Sequence, residues 1–383
     1  MRAAGGERQR AETVSLWCAI VTLLVAAVPV AIAVDKAGGK PSILVRMEAS
    51  EPMANFARTA DPEFAFVNDA HYDGVYFYAI ATDPFATGEA HTLIDKSAYR
   101  YGHAGYGWLG WGASFGQTRA VPVALLLLGF AGLAIAAIAV SRLSAELGWT
   151  PWGGLAVAFN PGLVYALTAL TSETVGAAFT ALALLFWVRR RLVWGAFAAA
   201  AACLVKEPFL LVPAGLALWE LVRWLSHRDL GTAVRRIALL SIGPALFACW
   251  YVYIRMQFGE WSFEATEGFF ALPPFGWLEA IGVASTMAAG ADLESQLGAA
   301  SAPLLAAVGA ALIVGLVQAV RVRNAVGAVF VLVALLALAL RPLGVLFPKD
   351  MIRELSIPLM LLPLVLAAKP GRDDEEPAAE TGA

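Results

Sequence analysis

Long apolar stretches recur along this chain, and polar residues gather in the breaks between them. The first apolar run extends from Thr13 to Val34. After a long mixed segment, further runs cover 119–141, 151–169, 174–188, 192–206, 208–225, 237–255, 301–320, 325–341 and 355–368. A helix needs roughly 20 apolar residues to cross the hydrocarbon core of a bilayer. The pattern therefore predicts an all-α, polytopic bundle of about ten membrane spans, forming a single domain over residues 1–368. The first run follows a basic start but is long for a cleaved signal peptide, so it reads as an uncleaved span. Two segments depart from the pattern, 35–118 and 256–300, and the acidic, Pro-containing end from 369 to 383 reads as a disordered tail. No repeat of fixed period is present.

Composition agrees with this reading: 59% of the residues are hydrophobic and only 15% are charged. The 27 Lys and Arg nearly balance the 30 Asp and Glu, and no basic stripe points to nucleic acid. Cys18, Cys203 and Cys249 all fall within predicted spans and read as small apolar fillers. The basic residues set an orientation. Arg2, Arg8, Arg10, Arg142, Arg189–Arg191, Arg223, Arg228, Arg235, Arg236, Arg321, Arg323, Lys369 and Arg372 all fall on one side if both termini are cytoplasmic. The 35–118 and 256–300 segments then face outward from a plasma membrane, and the second is acidic through Glu260, Glu264, Glu267, Glu279, Asp292 and Glu294.

Candidate chemistry concentrates in 68–85, NDAHYDGVYFYAIATDPF, where Asp69 and Asp73 lie four residues apart among Tyr72, Tyr76, Phe77 and Tyr78. Carboxylates at the mouth of an apolar bundle are costly to place without a purpose. The plainer reading of Asp73 is a cap for a helix starting near Gly74, and that of Asp69 is structural. Asp83-Pro84 reads as a turn or the stop of that helix. Asp69, His71 and Asp73 offer the donor types of a divalent-cation site, but His71, His91 and His103 lack ligand spacing and read as plain loop histidines. Downstream, 98–116 (AYRYGHAGYGWLGWGASFG) is rich in aromatic residues and glycine, as an interfacial belt would be. Arg100, set between Tyr99 and Tyr101, is suited to bidentate phosphate binding, with the tyrosines stacking on or hydrogen-bonding to a sugar. Further polar marks fall at outer ends of spans: Thr171-Ser172-Glu173, Lys206-Glu207-Pro208, and the group Arg341, Lys349, Asp350, Arg353 and Glu354. On the orientation above, Asp73, Glu173, Lys206, Glu207 and Arg353 reach one membrane face, as the lining of a single outward cavity would.

These residues carry a resemblance. NDAHYDGVYFYAIATDPF in a large first outer loop, AYRY, the TSE at 171–173, the KEP at 206–208, and Trp250 and Tyr253 with Phe258-Gly259 together resemble GT-C-type polytopic glycosyltransferases. The nearest groups are the bacterial mannosyltransferases and other polyprenyl-phosphate-sugar-dependent enzymes of the cell envelope. The layout covers most of the chain, although the motifs are short. The adjacent Asp-Asp or Asp-Glu pair of several branches is missing, which leaves open whether Asp69 or Asp73 matches the family's catalytic carboxylate. A large soluble C-terminal domain is missing too. The resemblance implies sugar transfer from a polyprenyl-phosphate donor to a glycan, lipid or protein acceptor at the outer face, with inversion. It makes Asp73 or Asp69 the base, Arg100, Lys206 and Arg353 the phosphate partners, and Glu173 and Glu207 orienting groups. The rival classes are a multi-span transporter or flippase, which would favour inverted halves and mid-membrane charges, and a non-catalytic membrane partner.

Overall fold

The computed structural model describes residues 2–266, 268–287 and 293–369, which are all-helical, with two isolated bridges and no strand. Among the described residues, five helices are long and apolar enough to cross a membrane: Gln9–Lys36, Thr118–Glu146, Glu207–His227, Leu230–Phe258 and Ala300–Val322. Four of the other expected spans form shorter apolar helices, Glu173–Val188, Leu192–Val205, Ala325–Ala339 and Ser356–Ala367. Large apolar side chains such as Leu24, Leu127, Phe197, Met256 and Val314 lie exposed on the outside of the bundle. That surface is unfavourable in water and favourable in lipid, and the helices satisfy their own backbone there. The chain thus has the build of a membrane protein. The expected tail, with Arg372, lies outside the described residues, as do Glu267 and Asp292.

The expected span at 151–169 is not one helix. It breaks into the 3-10 turn Pro151–Gly154 and the short helices Leu155–Ala158 and Pro161–Thr168. Proline disfavours helix in the residue before it and supplies no N–H, so Pro151 and Pro161 each start a new piece. Asn160 then caps the last piece, its side chain accepting from the N–H groups of Gly162 and Leu163. The broken segment still carries the chain back along Val121–Glu146. Ser141 donates to the Pro151 carbonyl at 2.6 Å near one end of Val121–Glu146, and Thr174 packs against Gly132 near the middle of that helix. Val121–Glu146 and Glu173–Val188 consequently run parallel, with Arg189 and Glu146 joined at 2.7 Å where both end.

This arrangement gives the bundle two chemically distinct ends. Arg142, Arg189 and Arg191 gather at one. Glu173 opens its helix at the other, 16 residues or about 24 Å away at 1.5 Å per residue. The 35–118 segment folds over the Glu173 side as short helices, among them Met53–Ala60, Gly74–Thr82, Ser97–Tyr101 and Ala104–Ala113. Tyr101 and Tyr106 there are fully buried, whereas Trp111 and Phe115 are exposed. The stretch expected to be an interfacial belt is therefore largely core. It can pack so closely because a Cβ at Gly105 would meet the Leu204 carbonyl oxygen at 2.4 Å. Glycine there lets Ala104–Ala113 seat against the end of Leu192–Val205, directly before Lys206.

Candidate active site

A cavity of about 580 Å³ opens at the Glu173 end. Asp73, Tyr99, Arg100, Glu173, Lys206, Glu207 and Arg353 all line it, although they come from five separate parts of the sequence. Asp73 precedes the first residue of Gly74–Thr82, but its side chain makes no capping bond. Its carboxylate instead faces two guanidinium groups. Arg100 Nη1 donates to Oδ1 at 3.3 Å and Arg353 Nη1 donates to Oδ2. Arg100 is held from behind by the Tyr76 ring, 3.5 Å from its Cζ, and Arg353 packs 5.0 Å from the Tyr72 ring.

A second layer of charge continues from Arg353. Its Nη2 donates to Glu354 Oε1 at 2.9 Å, and Lys206 Nζ donates to Glu354 Oε1 at 3.2 Å and Glu173 Oε1 at 3.1 Å. Glu173, only 5% exposed in its side chain, keeps Oε2 without a hydrogen-bond partner, and Arg353 keeps an unpartnered Nε–H. Polar groups of this kind at a cavity wall are spare capacity for a ligand. Glu207 lies on another part of the wall, where Oε2 pairs with His103 Nε2 at 2.5 Å and Oε1 accepts from the Tyr251 hydroxyl.

The electrostatics separate two carboxyl groups of the same cavity. Burial alone would raise Asp73, but Arg353, and after it Arg100, hold the group well below its ordinary value of 3.8. Burial pushes Asp350 upward, against the hydrogen bond it accepts from the Tyr72 hydroxyl at 2.8 Å and the charge of Arg353. Asp73 is accordingly held ionised, and Asp350 is biased toward its neutral form.

Some sequence expectations need correction. Asp69 is exposed, stands in the left-handed region at φ 47°, and is no part of the cavity lining. A short polar residue tolerates that conformation, so its place is a turn residue's. Tyr101 is also outside the lining; fully buried, it donates from its hydroxyl to the Asp83 carbonyl at 2.7 Å. Asp83 does stop its helix, and it holds the next loop through the N–H groups of Thr87 and Gly88 and through His91 Nδ1 at 2.8 Å. His71 bridges Glu51 and Tyr76 while Asp73 faces arginines, so the two do not share an ion. No cluster of three metal-binding side chains occurs among the described residues. His103 is not a plain loop residue but a buried cavity group; Asp350 and Glu354, marked in the sequence only as part of a polar group before the last span, and Tyr251, which was not marked, join it at the cavity.

Part of the lining is apolar, formed by Phe263, Phe269, Phe270, Leu336, Leu340 and Leu343. A narrower recess of about 70 Å³ shares Lys206, Arg353 and Glu354 with the cavity and runs between Phe209, Val333, Ala337, Ile357 and Pro358. The lining thus offers both charged and apolar side chains to a bound molecule.

Two substitutions test which residues build this site and which only support it. Tyr101→Phe is expected to lower stability by about 1 kcal/mol through loss of a buried hydrogen bond, leaving ligand affinity in the cavity unchanged; thermal unfolding and a binding isotherm check both. Gly162→Ala is expected to cost about 1–3 kcal/mol, because the new Cβ would lie 1.9 Å from the Ile352 carbonyl oxygen and 3.2 Å from the Arg353 N–H nitrogen. Reduced affinity alongside reduced stability would show that Pro161–Thr168 buttresses Arg353.

No protein-family model matches the chain, and neither a curated protein nor a solved structure does. Any functional reading therefore stands on the site itself and on the sequence motifs.

Proposed function

We propose that the chain is an integral-membrane glycosyltransferase of the GT-C type, taking a sugar from a polyprenyl-phosphate donor and passing it to an acceptor hydroxyl. The observation that carries this reading is the juxtaposition, in one cavity, of a carboxylate set between two arginines and an apolar wall leading into the bundle. A lipid-linked sugar phosphate has the matching parts. Its phosphate suits Arg353, Arg100 and Lys206, which offer forked and point-charge donors. Its isoprenoid chain suits the recess between Val333, Ala337, Ile357 and Pro358. The spare Oε2 of Glu173 suits a sugar hydroxyl.

The reaction is one displacement. The acceptor oxygen attacks the anomeric carbon, the bond from that carbon to the phosphate oxygen breaks, and its electron pair leaves with the phosphate. Asp73 takes the acceptor's proton as the new bond forms. The phosphate needs no proton because it is already a good leaving group, and the cations stabilise the charge it carries away. Attack from the face opposite the phosphate inverts the centre.

The test is transfer of radiolabel from polyprenyl-phosphate sugars by the purified full chain in lipid nanodiscs. Product formed by the wild type and absent with Lys206→Met is the expected result. Movement of unaltered donor across the bilayer, with no product, would overturn the reading in favour of transport.

A further inference from the structure

A second cavity, of about 590 Å³, lies at the arginine end of the bundle and has no part in the chemistry above. Glu12, Arg142, Glu146, Arg189 and Arg191 are among its lining residues. It brings together the first helix, the end of Val121–Glu146 and the turn after Glu173–Val188.

Three guanidinium groups there face two carboxylates, a surplus of one positive charge. Glu146 Oε1 accepts from Arg189 Nε at 2.7 Å, and this pair ties two helix ends together. Arg142 lies one turn before Glu146 on the same helix, and its Nε–H is buried with no hydrogen-bond partner. A buried donor without an acceptor is unfavourable unless something supplies the acceptor. The flanks fix the depth of the cavity. Trp17 follows Glu12 on the first helix and is 53% exposed; Trp149 and Trp152 follow Glu146 and are 37% and 46% exposed. Exposed tryptophans of a membrane bundle settle at the level of the lipid headgroups. Surplus positive charge in a recess between helices at that level suits an anionic headgroup.

We propose that this cavity binds a phosphate anion, presented as the headgroup of an anionic phospholipid, with Arg142 and Arg191 taking the phosphate oxygens while Arg189 remains on Glu146. Such a lipid bridges the first helix to the two helix ends that the Arg189–Glu146 pair ties together. A planar guanidinium is well fitted to the role because its fork meets two phosphate oxygens at once.

The full chain in detergent is titrated with phosphatidylglycerol, phosphatidylcholine or inorganic phosphate, and bound lipid is read by native mass spectrometry alongside the unfolding temperature. Phosphatidylglycerol is expected to be retained and to raise the unfolding temperature, and phosphatidylcholine is not. Arg142→Gln and Arg191→Gln should each bind phosphatidylglycerol about tenfold more weakly, while Arg228→Gln, an exposed basic residue outside the lining, should bind it as the wild type does. Should Arg142→Gln not fold, Arg142→Lys keeps the charge but loses the fork, and weaker binding is expected there as well. An equal effect of inorganic phosphate would identify the anion site and assign its source to solution rather than lipid. Equal retention of both lipids, or undiminished binding by both glutamine variants, would overturn the proposal and leave the arginines as topology signals alone.

Discussion

Arg353→Met is expected to destabilise the protein by about 3–5 kcal/mol, the largest effect of any single change in the cavity. Arg353 donates to Asp73 and Glu354 and stands 4.0 Å from Glu173. Removing it leaves those three carboxylates with Arg100 and Lys206 only. The cost lies less in the lost attraction than in the stranded charge, because a partly buried carboxylate without a partner keeps its desolvation penalty. The pH dependence follows from the same pairing. Asp73 sits below its ordinary value of 3.8 in the folded protein, so the stability it contributes is present above that value and is lost as pH falls through the lower, folded one. In Arg353→Met the folded value moves back up, and that contribution shrinks. The gap between variant and wild type is therefore widest near neutrality and narrows as pH falls below about 4 toward the depressed wild-type value. Thermal unfolding of both proteins in one detergent, at several pH values, measures it. A gap under 1 kcal/mol that is constant with pH would mean that these ion pairs are solvated like surface ones.

The long helices were legible because burial in lipid demands uninterrupted apolar sequence, and five such stretches carry it without a break. The 151–169 stretch has the same composition, yet Pro151 and Asn160-Pro161 break it, and an apolar count ignores that local chemistry. The site was legible in part for a related reason. Charged residues at the ends of apolar runs are conspicuous, so Asp73, Glu173, Lys206, Glu207 and Arg353 stood out. Their pairing did not, because Asp73 and Arg353 are 280 residues apart and no local pattern links them. Within one turn of helix the chain also cannot declare which side faces the ligand. Successive residues point about 100° apart, so in Ser97–Tyr101 the side chains of Tyr99 and Arg100 reach the cavity while Tyr101 turns to Asp83. Asp69 and Asp73 lie four residues apart, but the helix begins only at Gly74 and leaves Asp69 in the preceding turn. His103 gave no signal because its partner, Glu207, lies far along the chain, beyond every helix from Ala104–Ala113 to Leu192–Val205.

Asp73→Asn is expected to slow sugar transfer by about a hundred- to ten-thousand-fold, the range general-base catalysis supplies, while donor binding is retained. The resting geometry raises an objection. A carboxylate held low by two arginines is a weak base, since basicity follows pKa. Donor binding answers it. A phosphate that takes over Arg353 and Arg100 brings negative charge beside Asp73 and draws those hydrogen bonds away, so both effects raise the carboxyl in the complex. The base then strengthens only when there is a substrate to act on. This has a kinetic signature. With acceptor saturating, the acid limb of kcat/KM for the donor reports the free enzyme and that of kcat the complex. The limb of kcat should therefore lie at higher pH than that of kcat/KM, because activity is lost as Asp73 takes up a proton and the complex takes it up sooner. Asp350→Asn is the necessary comparison, since Asp350 lines the same cavity and burial already pushes its carboxyl upward. A small loss there, with both limbs in place, assigns the base to Asp73. A complete loss in Asp350→Asn, with Asp73→Asn merely binding donor less well, would make Asp350 the base and reduce Asp73 to the carboxylate that positions Arg353.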